Sequence, residues 1–174
     1  RRNINCDLYR NRALVVPKVR FSREKIHAYA DVLVVAAPNA RRAREEYKVD
    51  EAALVRAMRD RIHFALDIVD ALGHKQVVLG AWGCGVFGWE AELVSELFRE
   101  ELASGSHGIE LAIFAVPRDR FNENLACFEH VLSTFPERNQ VSFADALAER
   151  RAAEQAAAAA EEDDGEEDDW RKYL

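Results

Sequence analysis

The chain has 174 residues, 49% of them apolar, a size that supports one ordinary domain around a single buried core. Its formal charge of −7 is concentrated late: from Glu149 onward ten acids stand against four bases, so the preceding body is nearly neutral. A neutral body excludes the strong basic face that duplex nucleic acid requires, and no run approaches the ~18 apolar residues of a membrane span.

Any nucleotide ligand is therefore expected to be small and held by local groups. Cys6, Cys84 and Cys127 are odd in number and far apart, which indicates neither a disulfide framework nor a CxxC-type zinc site. Reduced thiols and the lack of a charged-then-apolar leader suit an intracellular setting, cytoplasmic or nuclear. The chain opens on Arg1 rather than Met, and the expectation is a fragment or a processed N-terminus.

In chain order, Ala13 to Phe21 reads as extended, with Pro17 making it an edge strand or breaking it. Asp31 to Ala37 is a continuous apolar run that suits a strand buried on both faces and ends at Pro38-Asn39. Asp50 to Leu72 carries Leu54, Val55, Met58, Ile62, Leu66, Val69 and Leu72 at helical spacing, with Gly73 placed as the C′ residue. Gln76 to Leu79 is expected as a short buried strand, Gly80 to Gly88 as a glycine-rich loop, and Glu90 to Leu102 as a helix. Ile109 to Val116 then supplies a second buried strand, and strand, crossover helix and strand make a right-handed parallel unit of an α/β fold. Asn124 to Phe135 reads as a further helix. Ser142 with Asp145 is set to cap a helix through the alanine tract, and the acidic run beyond it is expected to be disordered. The expected division is a domain over residues 1–139 and a helix with an acidic tail over residues 140–174.

The loop contains a formal G-x-G-x-x-G in Gly83, Gly85 and Gly88. Glycines let the backbone approach a ligand, and exposed amides near a helix start cradle anionic oxygens such as a diphosphate. The pattern alone also fits a tight turn between packed elements. A Rossmann site requires an acid about 20 residues on, at the end of the second strand. Glu110 stands too early and Asp119 too late, which demotes that reading, and no Gly-Lys-Ser/Thr follows to make a P-loop.

Val78 to Gly88 (VLGAWGCGVFG) resembles the phosphate-binding loop of the microbial-type poly(ADP-ribose) glycohydrolases. Its Gly-Val-Phe-Gly end is similar to the G-I-F/Y-G loop of macrodomains generally. Val34 to Arg42 (VVAAPNARR) is similar to the family's A-A-P-N-A segment, and Ala13 to Arg23 more weakly resembles its Pro-Lys-Val-Arg-Phe edge segment. The match runs from about Leu8 to Phe135.

The resemblance implies a macrodomain-like central mixed sheet flanked by helices, incomplete on its N-terminal side. It further implies an ADP-ribose cleft at the carboxyl ends of the strands, and hydrolysis of the ribose-ribose bond without metal or redox cofactor. Carried over, Gly83, Cys84, Gly85, Val86, Phe87 and Gly88 would hold the diphosphate, with Phe87 also walling the ribose beside the scissile bond. The implied partners are ADP-ribose or poly(ADP-ribose), including that on modified proteins. The family's Gly-Gly-Gly loop and Gln-Glu-Glu catalytic motif do not occur in the 174 residues, so no catalytic residue is assigned and binding is expected to exceed hydrolysis. A non-catalytic ADP-ribose reader is the first alternative, and an NAD-dependent oxidoreductase the second.

Asn39, at a strand end, is a candidate to reach the ligand, with turn formation as the plainer account. Arg118 and Asn122 follow the last strand and are candidates for the adenosine end. Cys84 beside a helix start is weighed as a nucleophile and read as a small packing residue, because no His is locally placed as its base. Arg41, Arg42 and Arg44 are read as charged surface rather than phosphate ligands, His63 as a partly buried packing residue, and Trp82 and Trp89 as covers for the loop.

Overall fold

The structure, a computed structural model, describes residues 10 to 166; Cys6 and residues 167–174 of the acidic run lie outside them. Two compact units divide at Arg138, and residues 10–138 hold everything considered next.

Strands β1 (Ala13–Arg23) and β2 (Ile26–Val35) form an antiparallel hairpin through a two-residue turn in which Glu24 has φ 53°. Pro17 does not break β1. The register shifts between Val16 and Val19, so the residue lacking an N–H sits in a bulge, beside Lys18 at φ 52°. The Lys18 amide, freed from the ladder, donates to Asp31 Oδ1 at 2.8 Å. The strand expected from Asp31 begins earlier, at Ile26, and the expectation that both its faces are buried is corrected. Among the described residues only β1 pairs with it, none of its residues is fully buried, and Tyr29 and Val34 are exposed. Period-2 patterning before Asp31 is blurred by His27, Ala28 and Ala30, which hid the outer half of the hairpin.

Helix α1 (Ala40–Glu45) starts at Asn39, whose side chain accepts from the Arg42 amide, and it buries Ala40 and Ala43. Helix α2 (Glu51–Ala71) is capped by Asp50 accepting from the Ala53 amide. It ends as a Schellman turn: Gly73, at φ 75°, donates to Asp70 O and His74 to Val69 O. Strands β3 (Gln76–Leu79) and β4 (Leu111–Phe114) are parallel, with Val77 opposite Ala112, and α3 (Ala91–Ala103) crosses between them. Among the described residues the sheet is present as two separate two-stranded pieces, the hairpin and the parallel pair.

Helix α4 (Asn124–Leu132) stops three residues before the expected Phe135. Ser133 Oγ bonds to His130 O at 2.7 Å, and Pro136 disfavours helical backbone at the residue before it.

The core lies between helices and one sheet face: Leu54, Met58, Ile62 and Leu66 of α2 meet Val94, Leu97 and Phe98 of α3 and Phe128 of α4. Phe98, Phe114 and Phe128 form an aromatic chain with centroids 5.3 and 5.5 Å apart. The opposite face of the parallel pair is open, with Val78, Leu111 and Ile113 exposed, so the expectation that these two strands are buried is corrected as well.

In the second unit, Ser142 Oγ accepts from the Asp145 amide at 3.1 Å and opens α5 (Phe143–Glu166). This helix carries the first acids of the terminal run, expected as disordered. The alanine tract before them has the strongest helix preference, and glutamate propagates a helix well. No helix among the described residues is long and apolar enough to cross a membrane.

Candidate functional site: a glycine loop beside the end of a strand

The loop after β3 is held from both sides. Trp89 is 3% exposed and donates Nε1–H to Pro38 O at 2.8 Å, pinning the loop's end to the end of β2. The Arg41 amide donates to Phe87 O at 2.9 Å, and Arg44 donates to Gly88 O at 2.9 Å while pairing with Glu51 at 2.6 Å. Arg44 is therefore a clamp between α1, α2 and the loop, and the Glu51 carboxyl beside it is held below its usual range chiefly by that hydrogen bond. Arg42 is occupied by Glu46 and Tyr47.

Within the loop the three glycines of the motif differ. Gly83 has φ 82°, and a Cβ there would lie 2.6 Å from Trp89 Cδ1 and 3.2 Å from Ala37 Cβ, so both conformation and packing require glycine. Gly88 has φ 73° with Arg41 Cβ 3.3 Å from the same notional atom. At Gly85 a Cβ would meet nothing within 4 Å, and the position is exposed. Folding does not demand glycine there.

The amides divide in a corresponding way. Cys84 donates to Ala81 O at 3.1 Å, Gly88 to Gly85 O at 3.0 Å and Trp89 to Gly83 O at 3.1 Å, so these three close turns. Among the described residues, the amides of Gly83, Gly85 and Val86 have no protein acceptor. Those three residues, with Trp82 and Phe87, line a cleft of about 390 Å³ whose other wall is Val35, Ala36 and Ala37 at the end of β2. Helix α3 opens three residues after Gly88, with Glu90 as its N-cap.

Of the residues singled out from the sequence, Gly83, Gly85, Val86 and Phe87 come together on this cleft. Cys84, Gly88, Asn39, Arg118 and Asn122 are not among its lining residues. Asn39 spends its side-chain oxygen on the Arg42 amide at 3.1 Å. Asn122 Nδ2 donates to Asp119 Oδ2 at 2.6 Å, and Arg118 is exposed just past the end of β4. The pairing of β3 with β4 in parallel puts these residues at the same strand ends as the glycine loop. Burial pushes the Cys84 thiol up to about 12, so at neutral pH it is a protonated packing group, not a nucleophile. His63 is half-exposed and bonded to Glu101 at 2.7 Å, which corrects the packing role expected of it; its side chain points away from the apolar stripe it neighbours in sequence.

Sequence reasoning missed Arg61. Its side chain is buried, with Nη1 donating to Ala36 O and Nε to Asn11 Oδ1, each at 2.6 Å, beneath the cleft wall. Desolvation lowers its pKa from the ordinary arginine value. The signal was present: position 61 follows Leu54 by seven residues and Met58 by three, on the buried face of α2.

A positive-φ glycine loop at the carboxyl end of a parallel strand, clamped beside a second strand end over a cleft, belongs to a macrodomain-like α/β fold. Within that class the chain is similar in structure to solved microbial poly(ADP-ribose) glycohydrolases. One is the poly(ADP-ribose) glycohydrolase of Deinococcus radiodurans in complex with ADP-ribose: TM-score 0.68, 25% identity, 75% of this chain and 56% of that one covered. Its apo form matches at TM-score 0.67 and 25% identity, with 75% and 57% covered. The enzyme from Thermomonospora curvata matches at TM-score 0.63 and 30% identity, over 70% of this chain and 47% of that one. The chain thus spans about half the length of the solved structures it matches. No protein-family model and no curated protein sequence matches it.

Proposed function

We propose that this chain forms the ADP-ribose-gripping part of a poly(ADP-ribose) glycohydrolase, with the ligand's diphosphate on the amides of Gly83, Gly85 and Val86. The observation that carries the reading is the loop itself: three donors without protein acceptors among the described residues line a cleft, one of them on a glycine that the fold does not need. A diphosphate supplies several acceptor oxygens to such a nest, and charge-assisted bonds of this kind are the strong ones. Cys84 and Gly88 set the loop's shape. Phe87, half-buried at the cleft, walls the ribose, while Arg118 and Asn122 are assigned to the adenosine end.

Hydrolysis of the ribose-ribose bond calls for a carboxylic acid to protonate the leaving oxygen, a contribution of ~10²–10⁴ in rate. The cleft lining among the described residues is carboxylate-free. Cleavage of polymer accordingly needs a proton donor that this lining does not supply. The same carboxylate-free lining favours the second reading, an ADP-ribose reader. Calorimetric titration with ADP-ribose and NAD tests the binding claim: ADP-ribose binds and NAD binds more weakly. Preference for NAD, or no heat with either, overturns it. Incubation with poly(ADP-ribose) separates hydrolase from reader, by whether ADP-ribose is released.

A further inference from the structure

Some 13 residues of α3, about 20 Å of helix, separate the glycine loop from a second group of polar side chains. His63, Asp67 and Asp70 follow one another along α2 at i, i+4 and i+7, on one stripe of the helix. Glu101 comes from the last turn of α3 and His107 from the connection to β4. The His107 side chain is 2% exposed. Its Nδ1 lies 2.8 Å from Asp70 Oδ2 and 3.8 Å from Asp67 Oδ1, and its Nε2 lies 2.8 Å from Glu101 Oε1. His63 Nδ1 is 2.7 Å from the same Glu101 oxygen, and its Nε2 is 3.4 Å from Asp67 Oδ2.

A neutral imidazole has one N–H, yet each nitrogen of His107 faces a carboxylate oxygen at hydrogen-bond distance. When Glu101 Oε1 accepts from His63 Nδ1–H and His107 Nε2–H, both rings are fixed in tautomers whose other nitrogens carry lone pairs. In the metal-free chain a proton bridges His107 Nδ1 and Asp70 Oδ2, 2.8 Å apart, and a cation displaces it to reach the nitrogen lone pair; His63 Nε2 faces Asp67 Oδ2 at 3.4 Å. Two imidazoles oriented by a carboxylate behind them, with carboxylates in front, is how proteins build a transition-metal site. Asp70 is itself steadied by the Gly108 amide, which donates to Oδ1 at 2.9 Å.

We propose that His63 Nε2, His107 Nδ1 and the Asp67 carboxylate, flanked by Asp70, bind a divalent transition metal of the zinc class. The ligand atoms of His63, Asp67 and His107 all lie within 4.8 Å of one another. Donors of a tetrahedral site with bonds of ~2.0–2.1 Å stand roughly 3.3 Å apart. The His63–Asp67 separation of 3.4 Å is already there, and small rotations of these two side chains, 51% and 55% exposed, close the rest. Mixed nitrogen and oxygen donors select zinc, cobalt or nickel over magnesium. A metal here staples α2 to the approach to β4 and leaves the glycine loop untouched.

The test uses the full 174-residue chain after chelator treatment, with its helical circular dichroism recorded to read the fold. Zinc chloride at a hundredfold excess over its Kd is expected to raise the melting temperature by about 5 °C or more, with magnesium ineffective. Cobalt(II) is expected to give the intense visible bands of a low-coordinate site. His63→Gln and Asp67→Asn, at exposed positions, each weaken zinc at least tenfold with little change in the metal-free melt. Glu101→Gln weakens it too and alters the cobalt spectrum. The proposal is overturned if zinc fails to stabilise the folded chain, if magnesium does as well, or if both His63→Gln and Asp67→Asn bind zinc undiminished, which would put the ion on the acidic tail.

Discussion

Replacing Gly83 and Gly85 separately by alanine distinguishes a glycine kept for folding from one kept for a ligand. At Gly83 the methyl enters a left-handed backbone, which costs an L-residue ~1–2 kcal/mol. It also arrives 2.6 Å from Trp89 Cδ1, on an indole that cannot swing away because Nε1 is bonded to Pro38 O and the ring is buried. Overpacking of this kind adds ~1–3 kcal/mol, so Gly83→Ala is expected to lose about 2–5 kcal/mol. In a chain of this size that is a melting temperature lower by roughly 5–15 °C. At Gly85 the methyl meets nothing within 4 Å. Gly85→Ala should leave stability within about 1 kcal/mol, or raise it slightly by restricting the unfolded chain. Its effect falls on the ligand: the methyl stands where the diphosphate approaches, and ADP-ribose affinity drops at least tenfold, about 1.4 kcal/mol. Thermal unfolding and calorimetry on the two variants read both quantities. A Gly85→Ala protein that binds ADP-ribose normally, or melts lower than Gly83→Ala, refutes the reasoning.

Arg61→Ala removes a buried guanidinium and strands the Ala36 carbonyl, a loss expected at about 2–5 kcal/mol in urea unfolding, with Arg61→Met recovering part of it through packing. Because burial holds the Cys84 thiol near 12, a maleimide or iodoacetamide should label it at pH 8 only slowly, and rapidly in denaturant. The Asp31 carboxyl is held below its usual range, first by the Lys18 amide and then by His74. A depressed folded-state pKa stabilises above the unfolded value and is lost as pH falls through the folded one. The melting-temperature gap between wild type and Asp31→Asn should therefore be present at pH 7 and close below about pH 4.

The helices were legible because their signals are local and redundant. Asp50, the stripe from Leu54 to Val69 and Gly73 each mark α2 independently, and the structure uses all three. The hairpin was half legible: Pro17 advertised an irregularity, but only the pairing partner reveals that a bulge absorbs it. Burial of the strands was misjudged because apolar runs report what a strand can pack against, not what packs there among the described residues. Val78, Leu111 and Ile113 are apolar and exposed for that reason. In the loop, the glycine spacing gave the location of the cleft, but a pattern of identical letters does not say which glycine serves a turn. Arg61 and the His63–His107 group depend on residues 25 to 50 positions apart, a separation at which sequence periodicity carries no information.

The central claim concerns three amides, and amide-resolved nuclear magnetic resonance addresses it directly. On addition of ADP-ribose, the N–H signals of Gly83, Gly85 and Val86 are expected to move furthest and downfield, as new acceptors engage them. Those of Cys84 and Gly88, already bonded within the loop, should move less. Unmoved signals at the three positions in a protein that nonetheless binds ADP-ribose would contradict the account.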